Sequence, residues 1–321
     1  MKNLLLAFMA LGMMAHAQNS SGGSSDQSAG ESTSKIQDLQ KKDEQMKDID
    51  DEITNQRLRA TLGSKSKWSV RTASAYQGGS VKKPFDAERP NYRGAVATNT
   101  ATFFTADIAV KRRLGDMDSL NFGTGLTLFK PFHRTLDEAT NSGSGNRNAT
   151  VSNPYLEYNV AYKIGGLQAS TALTYVHSAN KFDVDEVKSI GLFDVSQTLI
   201  GEVTNKLSLG AAISISKTFY KGSGDLDGQG NAKVQLEPGL YPFAEYMFND
   251  KYSFRTVFGY FQFQEFATEQ GKFRQLTPYQ SMGIGISLNR DVYIYPNIQF
   301  TPKEIDSDRT NLGISANINI F

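Results

Sequence analysis

The sequence contains no cysteine, one tryptophan and three histidines in 321 residues. Without cysteine there is no disulfide scaffold, no zinc ribbon and no thiol nucleophile. An excess of one charge is also missing: 34 Lys and Arg stand against 33 Asp and Glu, which removes the electrostatic footprint of a nucleic-acid binder. Long apolar runs are equally scarce. A helical membrane bundle needs repeated stretches of about 18 or more apolar residues, and the only extended one here is N-terminal, in a chain of mean hydropathy -0.41. What the chain has in quantity is glycine (28), phenylalanine (20) and tyrosine (14).

The N-terminal run has the layout of an export signal. Lys2 supplies the positive end, Leu4 to Met14 the apolar stretch, and Ala15-His16-Ala17 the small-residue cleavage pattern. The run is too short to span a bilayer. Residues 1–17 are therefore expected to be removed, leaving His133 and His177 as the histidines of the mature chain. Residues 18–34 are dominated by Ser and Gly and hold no large apolar residue, so they read as a disordered linker.

Composition changes abruptly at Lys35. From there to about Ala60 there is no Gly or Pro and charges of both signs alternate, which predicts a charged helix over 35–62, ended by Gly63. Its apolar residues are Ile36, Leu39, Met46, Ile49 and Ile53. Met46, Ile49 and Ile53 keep the 3-then-4 spacing of a coiled-coil seam, with Leu39 one heptad earlier and Lys42 interrupting it. Three placements are open: a periplasmic seam joining identical subunits, a trimer among them; a plug inside whatever follows; or a contact with another envelope component.

After Trp68 the period switches to two and stays there. Twelve alternating segments follow. Leu207, Leu209, Ala211, Ile213 and Ile215 face one way while Ser208, Gly210, Ala212, Ser214 and Ser216 face the other. Segments of ten or more residues suit a tilted strand crossing a bilayer, whereas strands of soluble sandwiches typically have five or six. Connections alternate between short and long, and twelve strands bring both ends of the chain to the short-turn side. Between Ser189 and Ile200 the alternation breaks, and a bulge near Gly191 reconciles it. Aromatics gather at both strand ends: Trp68, Phe122, Tyr162, Phe248, Tyr252 and Phe254 near short turns, and Tyr76, Tyr155, Tyr175, Phe219, Tyr260 and Tyr279 near long loops.

The export signal, amphipathic strands, alternating connections and terminal Phe321 together resemble the outer-membrane β-barrel superfamily of Gram-negative bacteria, in a porin-like form. The resemblance covers residues 68–321 and implies an all-β fold, a twelve-stranded antiparallel transmembrane barrel over 63–321 preceded by a short helical segment. It further implies outer-membrane lipid and the barrel assembly machinery as partners, with Phe321 as assembly signal.

Catalytic and metal chemistry finds little purchase. His177 and Ser178 are adjacent on a strand and point to opposite faces, so they are not a base and nucleophile pair. Asp225 to Gly230 starts like a calcium loop, but Leu236 stands where the bidentate Glu belongs. No enzyme, metal or cofactor is expected. By alternation the inward face receives Arg71, Asp107, Lys111, Arg113, Glu157, Lys163, Glu245 and Arg255, beside many Gly, Ser, Ala and Asn. Small inward residues leave volume for a water-filled channel or for something inserted. The expected function is passive diffusion of small hydrophilic solutes through a pore lined by those eight residues. The alternative is an adhesin or structural anchor whose loops or helix bind partners.

Overall fold

The computed structural model describes residues 53–90, 100–133, 149–222, 224–227 and 230–320. The signal peptide, the linker, most of the expected helix, the seam residues Ile36, Leu39, Met46 and Ile49, and Phe321 lie outside the described residues.

The wall is built from β1 (Trp68–Ser80), β2 (Phe103–Arg113), β3 (Asp118–Phe129), β4 (Tyr155–Ile164), β5 (Leu167–His177), β6 (Ser189–Glu202), β7 (Leu207–Tyr220), β8 (Val234–Met247), β9 (Tyr252–Gly259), β10 (Tyr279–Asn289), β11 (Val292–Phe300) and β12 (Asn311–Ile320). Each pairs antiparallel with its chain neighbours, and β12 returns to β1 with Val70 opposite Ile320 and Tyr76 opposite Ile314. The result is a closed barrel of 12 strands, which leaves no strand edge to template aggregation. The upper part of β8 pairs with a hairpin of Phe261–Phe266 and Phe273–Gln275, which extends the wall on one side.

Connections 114–117, 165–166, 203–206, 248–251 and 290–291 are short and lie at one end, together with the start of β1 and the end of β12. Two of them have only two residues, and Gly165-Gly166, with φ of 54° and 82°, has the left-handed pair of a type I′ hairpin turn. The six longer connections lie at the opposite end. The expected bulge is present. Phe219 pairs with Gly191 but Tyr220 pairs with Ser189, so Ile190 is the extra residue on β6.

Alternation sorts side chains by chemistry. Outward positions carry exposed large apolar residues: Phe122 is 62% accessible, Leu288 59%, Trp68 55% and Val110 51%. Such a continuous belt is far more than a water-soluble monomer exposes, and hydrocarbon is the solvent that suits it. Aromatics border the belt at both ends. Trp68 lies under Arg112 at 5.4 Å near the short turns, and Tyr76, Phe85 and Phe132 form a triad with Phe132 5.3 Å from each of the other two rings near the long loops.

Two expected interfacial aromatics point the other way. Tyr155 and Tyr279 share the inward parity of Glu157 and Ser281, and each fills a recess over a glycine of the neighbouring strand, Gly123 and Gly259. The same device recurs at Gly210, where a Cβ would come within 2.3 Å of the Phe243 ring, and at Gly285, within 2.4 Å of the Tyr293 hydroxyl. Inward glycines are thus partly sockets for aromatic rings rather than open volume.

Candidate functional site

The lumen is not empty at the short-turn end. Residues 53–64 enter it and cross from the β5–β6 side to the β1–β12 side, carrying helix α1 (Gln56–Leu62). The single helix expected over 35–62 is corrected here: among the described residues helix begins only at Gln56, residues 53–55 are not helical, and Asn55 is extended. The physical reason is capture of Thr54 and Asn55 by the wall. Their backbone N–H groups donate to Gln168 Oε1 at 2.9 and 3.0 Å, and Asn55 Nδ2 donates to Glu245 Oε2 at 3.0 Å. Asn55 then caps the helix, its Oδ1 accepting from Leu58 N at 3.0 Å. Thr54 and Gln168 both donate to Glu202 Oε1, the latter at 2.7 Å.

The far end of the helix is held by charge and amide. Asn319 Nδ2 donates to Ala60 O at 2.8 Å and Arg290 Nη1 to Gly63 O at 2.8 Å, while Lys111 Nζ donates to Leu62 O. Carbonyls at a helix C-terminus have no intrahelical partner and carry partial negative charge, so cations and amides from the wall are the groups that satisfy them. Gly63, at φ 83°, ends the helix against Lys111, where a Cβ would fall 2.7 Å from Nζ.

Between these anchors the contact is apolar. Ile53, Leu58 and Leu62 pack with Ala161, Ile200 and Phe243, and Ala60 packs with Tyr293 and Tyr295. Ile53, assigned from its spacing to an intersubunit seam, is fully buried in this lumenal cluster. That expectation is corrected by the apolar patch that the wall provides for it, which the seam spacing alone does not reveal.

All eight charged residues expected inward fall on the lumen side by strand register, but they do different things. Glu245 and Arg255 form an ion pair at 3.2 Å with side chains 3% and 2% accessible. Ser253 Oγ donates to Glu245 at 2.7 Å, and the Arg255 guanidinium stacks 4.0 Å from the Phe243 ring. Arg71 and Glu157 pair at 2.7 Å, and Asn121 and Asn159 also donate to Glu157. Lys111 holds α1, and Arg113 holds the carbonyls of Lys65 and Asp116 at the rim. Asp107 and Lys163 are exposed, Asp107 on the lumen wall opposite Gly125 and Lys163 near the short-turn rim.

The long-loop end is narrowed as well. Connection 81–102 turns inward at a two-residue ladder, Glu88–Arg89 with Thr100–Ala101. Arg89 donates to Gly78 O and to Gln299 Oε1, both at 2.8 Å. Between this loop and α1 lies a cavity of about 470 Å³, and a second of about 150 Å³ sits beside the helix toward Glu157. Arg57 and Arg255 line both. Sequence reading missed Arg57, Arg89, Gln168, Arg290 and Asn319. Only Asn55 and Gly63, a cap residue and a helix-ending glycine with Leu58 and Leu62 between them, carry a local sign of the short helix.

His133 Nε2 lies 2.9 Å from Phe85 O, and Ser178 is bonded to Ser189 Oγ at 2.8 Å rather than to His177. In the Asp225 loop, Asp227 accepts from Asn231 N at 2.8 Å, closing the tip on itself; Gly228 and Gln229 lie outside the described residues.

No protein-family model and no curated protein matches this sequence. Among solved structures, the outer-membrane channel from Pseudomonas putida F1 is similar in fold, with a TM-score of 0.51 at 9% identity over 81% of this chain and 97% of that one. The NanC porin superposes with a TM-score of 0.40 at 11% identity over 78% and 98% of the two chains. The KdgM porin does so with a TM-score of 0.40 at 8% identity over 79% and 98%. The chain shares the closed antiparallel β-barrel fold of the Pseudomonas putida F1 channel.

Proposed function

We propose that this protein is an outer-membrane channel for passive diffusion of small hydrophilic solutes, constricted at its periplasmic mouth by its own residues 53–64. The observation that carries the reading is the contrast between the two faces of one wall. The outer face is an apolar belt bordered by aromatic rings, and the inner face is polar and encloses cavities of about 470 and 150 Å³. In this reading residues 1–17 direct export, the short turns face the periplasm, and Phe321 serves the assembly machinery. The paired charges Arg71–Glu157 and Glu245–Arg255 hold the wall and plug in shape and leave selectivity to the remaining cations. Any seam between subunits falls to Ile36, Leu39, Met46 and Ile49, since Ile53 is engaged in the lumen.

Swelling of liposomes containing the mature chain tests the reading. Uptake of neutral sugars that slows as the sugar grows is the expected result. Liposomes that swell no faster than protein-free ones, both with the mature chain and with a variant lacking residues 18–62, would overturn it.

A further inference from the structure

We infer that the outer wall carries a binding site for a phosphorylated lipid at the long-loop end of β5–β7, where Lys188, Lys217 and Lys221 take the phosphate and Phe219 and Ile190 flank the acyl chains. The inference rests on the membrane reading of the wall and is independent of conduction through the lumen.

Strand register brings these residues together. On β7, Ser216 donates to Asp194 on the lumen side at 2.7 Å, so Lys217 and Phe219 point outward in line with Ile213 and Ile215. Phe219 is 45% accessible and pairs with Gly191 of β6, which pairs in turn with His177 of β5. Tyr175 leans over Gly191, where a Cβ would fall 3.1 Å from the tyrosine hydroxyl, and adds a ring with a polar tip to the same face. Where the strands end, Lys221 N donates to Lys188 O at 2.7 Å, which sets two exposed lysines side by side. Lys217 lies ten residues along β7 from Leu207 at the short-turn end. At about 3.4 Å per residue and a tilt of about 40° that is a rise of about 26 Å, against about 25 Å for the apolar band of an outer-membrane barrel. The three ammonium groups stand at the level of lipid headgroups.

The protein does not neutralise their charge. Lys217 Nζ meets the Gln235 amide oxygen at 3.4 Å, and among the described residues no carboxylate forms an ion pair with Lys188, Lys217 or Lys221. Asp194 and Glu237 face the lumen, on the other side of the wall. Asp185, Glu186 and Asp225 belong to the flanking connections and are exposed, where water and salt screen them. Like charges opposite each other on neighbouring strands are destabilising, and a lysine on the lipid side is tolerated only where its ammonium reaches the interface. A phosphate among the three relieves both costs, and a phosphomonoester, with a charge of about −1.5 to −2, matches them best. A lipid supplies it rather than a free ion, because the same face continues from Phe219 through Ile215 and Ile213 into the apolar belt.

Native mass spectrometry of the full mature chain released from detergent tests the site, with dioleoyl phosphatidic acid and dioleoyl phosphatidylcholine offered in equal amounts. Phosphatidic acid is expected to exceed phosphatidylcholine among bound lipids by about fivefold or more. Lys217→Gln with Lys221→Gln should bring the two lipids to equal binding, and arginine at both positions should keep the preference. Lys206→Gln with Lys251→Gln, exposed lysines at the short-turn rim, should keep it too. Equal binding by the parent, a preference that survives Lys217→Gln with Lys221→Gln, or equal loss from the rim pair would overturn the proposal. So would displacement by about a hundredfold excess of inorganic phosphate, which identifies a free anion as the occupant, or a dimer in place of the lipid adduct, which identifies a second copy of the chain. Sugar uptake without a lipid preference removes the site and leaves the channel; a preference without uptake removes the channel and leaves the site.

Discussion

At the scale of single residues, the charged groups divide into those that neutralise one another and those that hold the inserted segment. Glu245 and Arg255 are both almost fully buried, so removing one charge strands the other in a medium that solvates it poorly. Glu245→Gln is expected to destabilise the barrel by about 3–5 kcal/mol, seen as a lower temperature for loss of the compact, heat-modifiable band on electrophoresis. Glu157→Gln should have a smaller effect, because Arg71 borders the lumenal cavity beside Glu157 and water can reach it. Equal shifts for the two variants would show that burial of the pair is not what matters. Which charges face inward was legible from period-two parity alone. Their partners were not, since Arg71 and Glu157 lie 86 residues apart and meet across two intervening strands of the curved wall.

At the scale of elements, the strands and the end of the helix at Gly63 were readable and the start of the helix was not, for one physical reason. A strand half in lipid and half in water writes its environment into every second residue, and even the bulge at Gly191 shows as a broken alternation. The short helix is set by contacts 113 and 190 residues distant, Gln168 and Glu245 on Asn55, which no local pattern encodes. Glycines on inward positions suggested open volume, and several instead receive rings. Gly210→Val would drive Cβ and its methyls into Phe243 and Leu199 O, disturbing the ring that carries both Arg255 and the Ile53–Leu58–Leu62 cluster. A loss of about 1–3 kcal/mol is expected from such overpacking, read as a lower unfolding temperature. Helix α1 itself is held largely by burial of Leu58 and Leu62. Replacing both with Asp removes about 3–6 kcal/mol of apolar burial and should release the helix. Trypsin would then cut after Arg57 or Arg59, giving a barrel fragment that begins at the substituted position 58 or at Ala60, whereas the parent should resist at those bonds.

At the scale of the whole molecule, two facts combine: a closed wall and a lumen restricted from both ends by the chain's own segments. Closure rests on β12 against β1, paired continuously from Val70–Ile320 to Gln77–Gly313. A chain ending at Thr310 leaves β1 and β11 as open edges in lipid, where unsatisfied backbone groups are prohibitively costly. It is expected not to reach the heat-modifiable state at all, as judged by electrophoretic mobility. Architecture was the most legible level of this protein, because strand number and the alternation of short and long connections follow from the period and the turns. The state of the lumen was the least legible, because it depends on what inserts rather than on what lines it. The most direct test is therefore single-channel conductance of the mature chain in a planar bilayer beside a variant lacking residues 18–62. Small or intermittent currents from the mature chain and large, steady ones from the variant are the predicted result. Identical currents from the two, or none from either, would contradict a channel constricted by its own N-terminal segment.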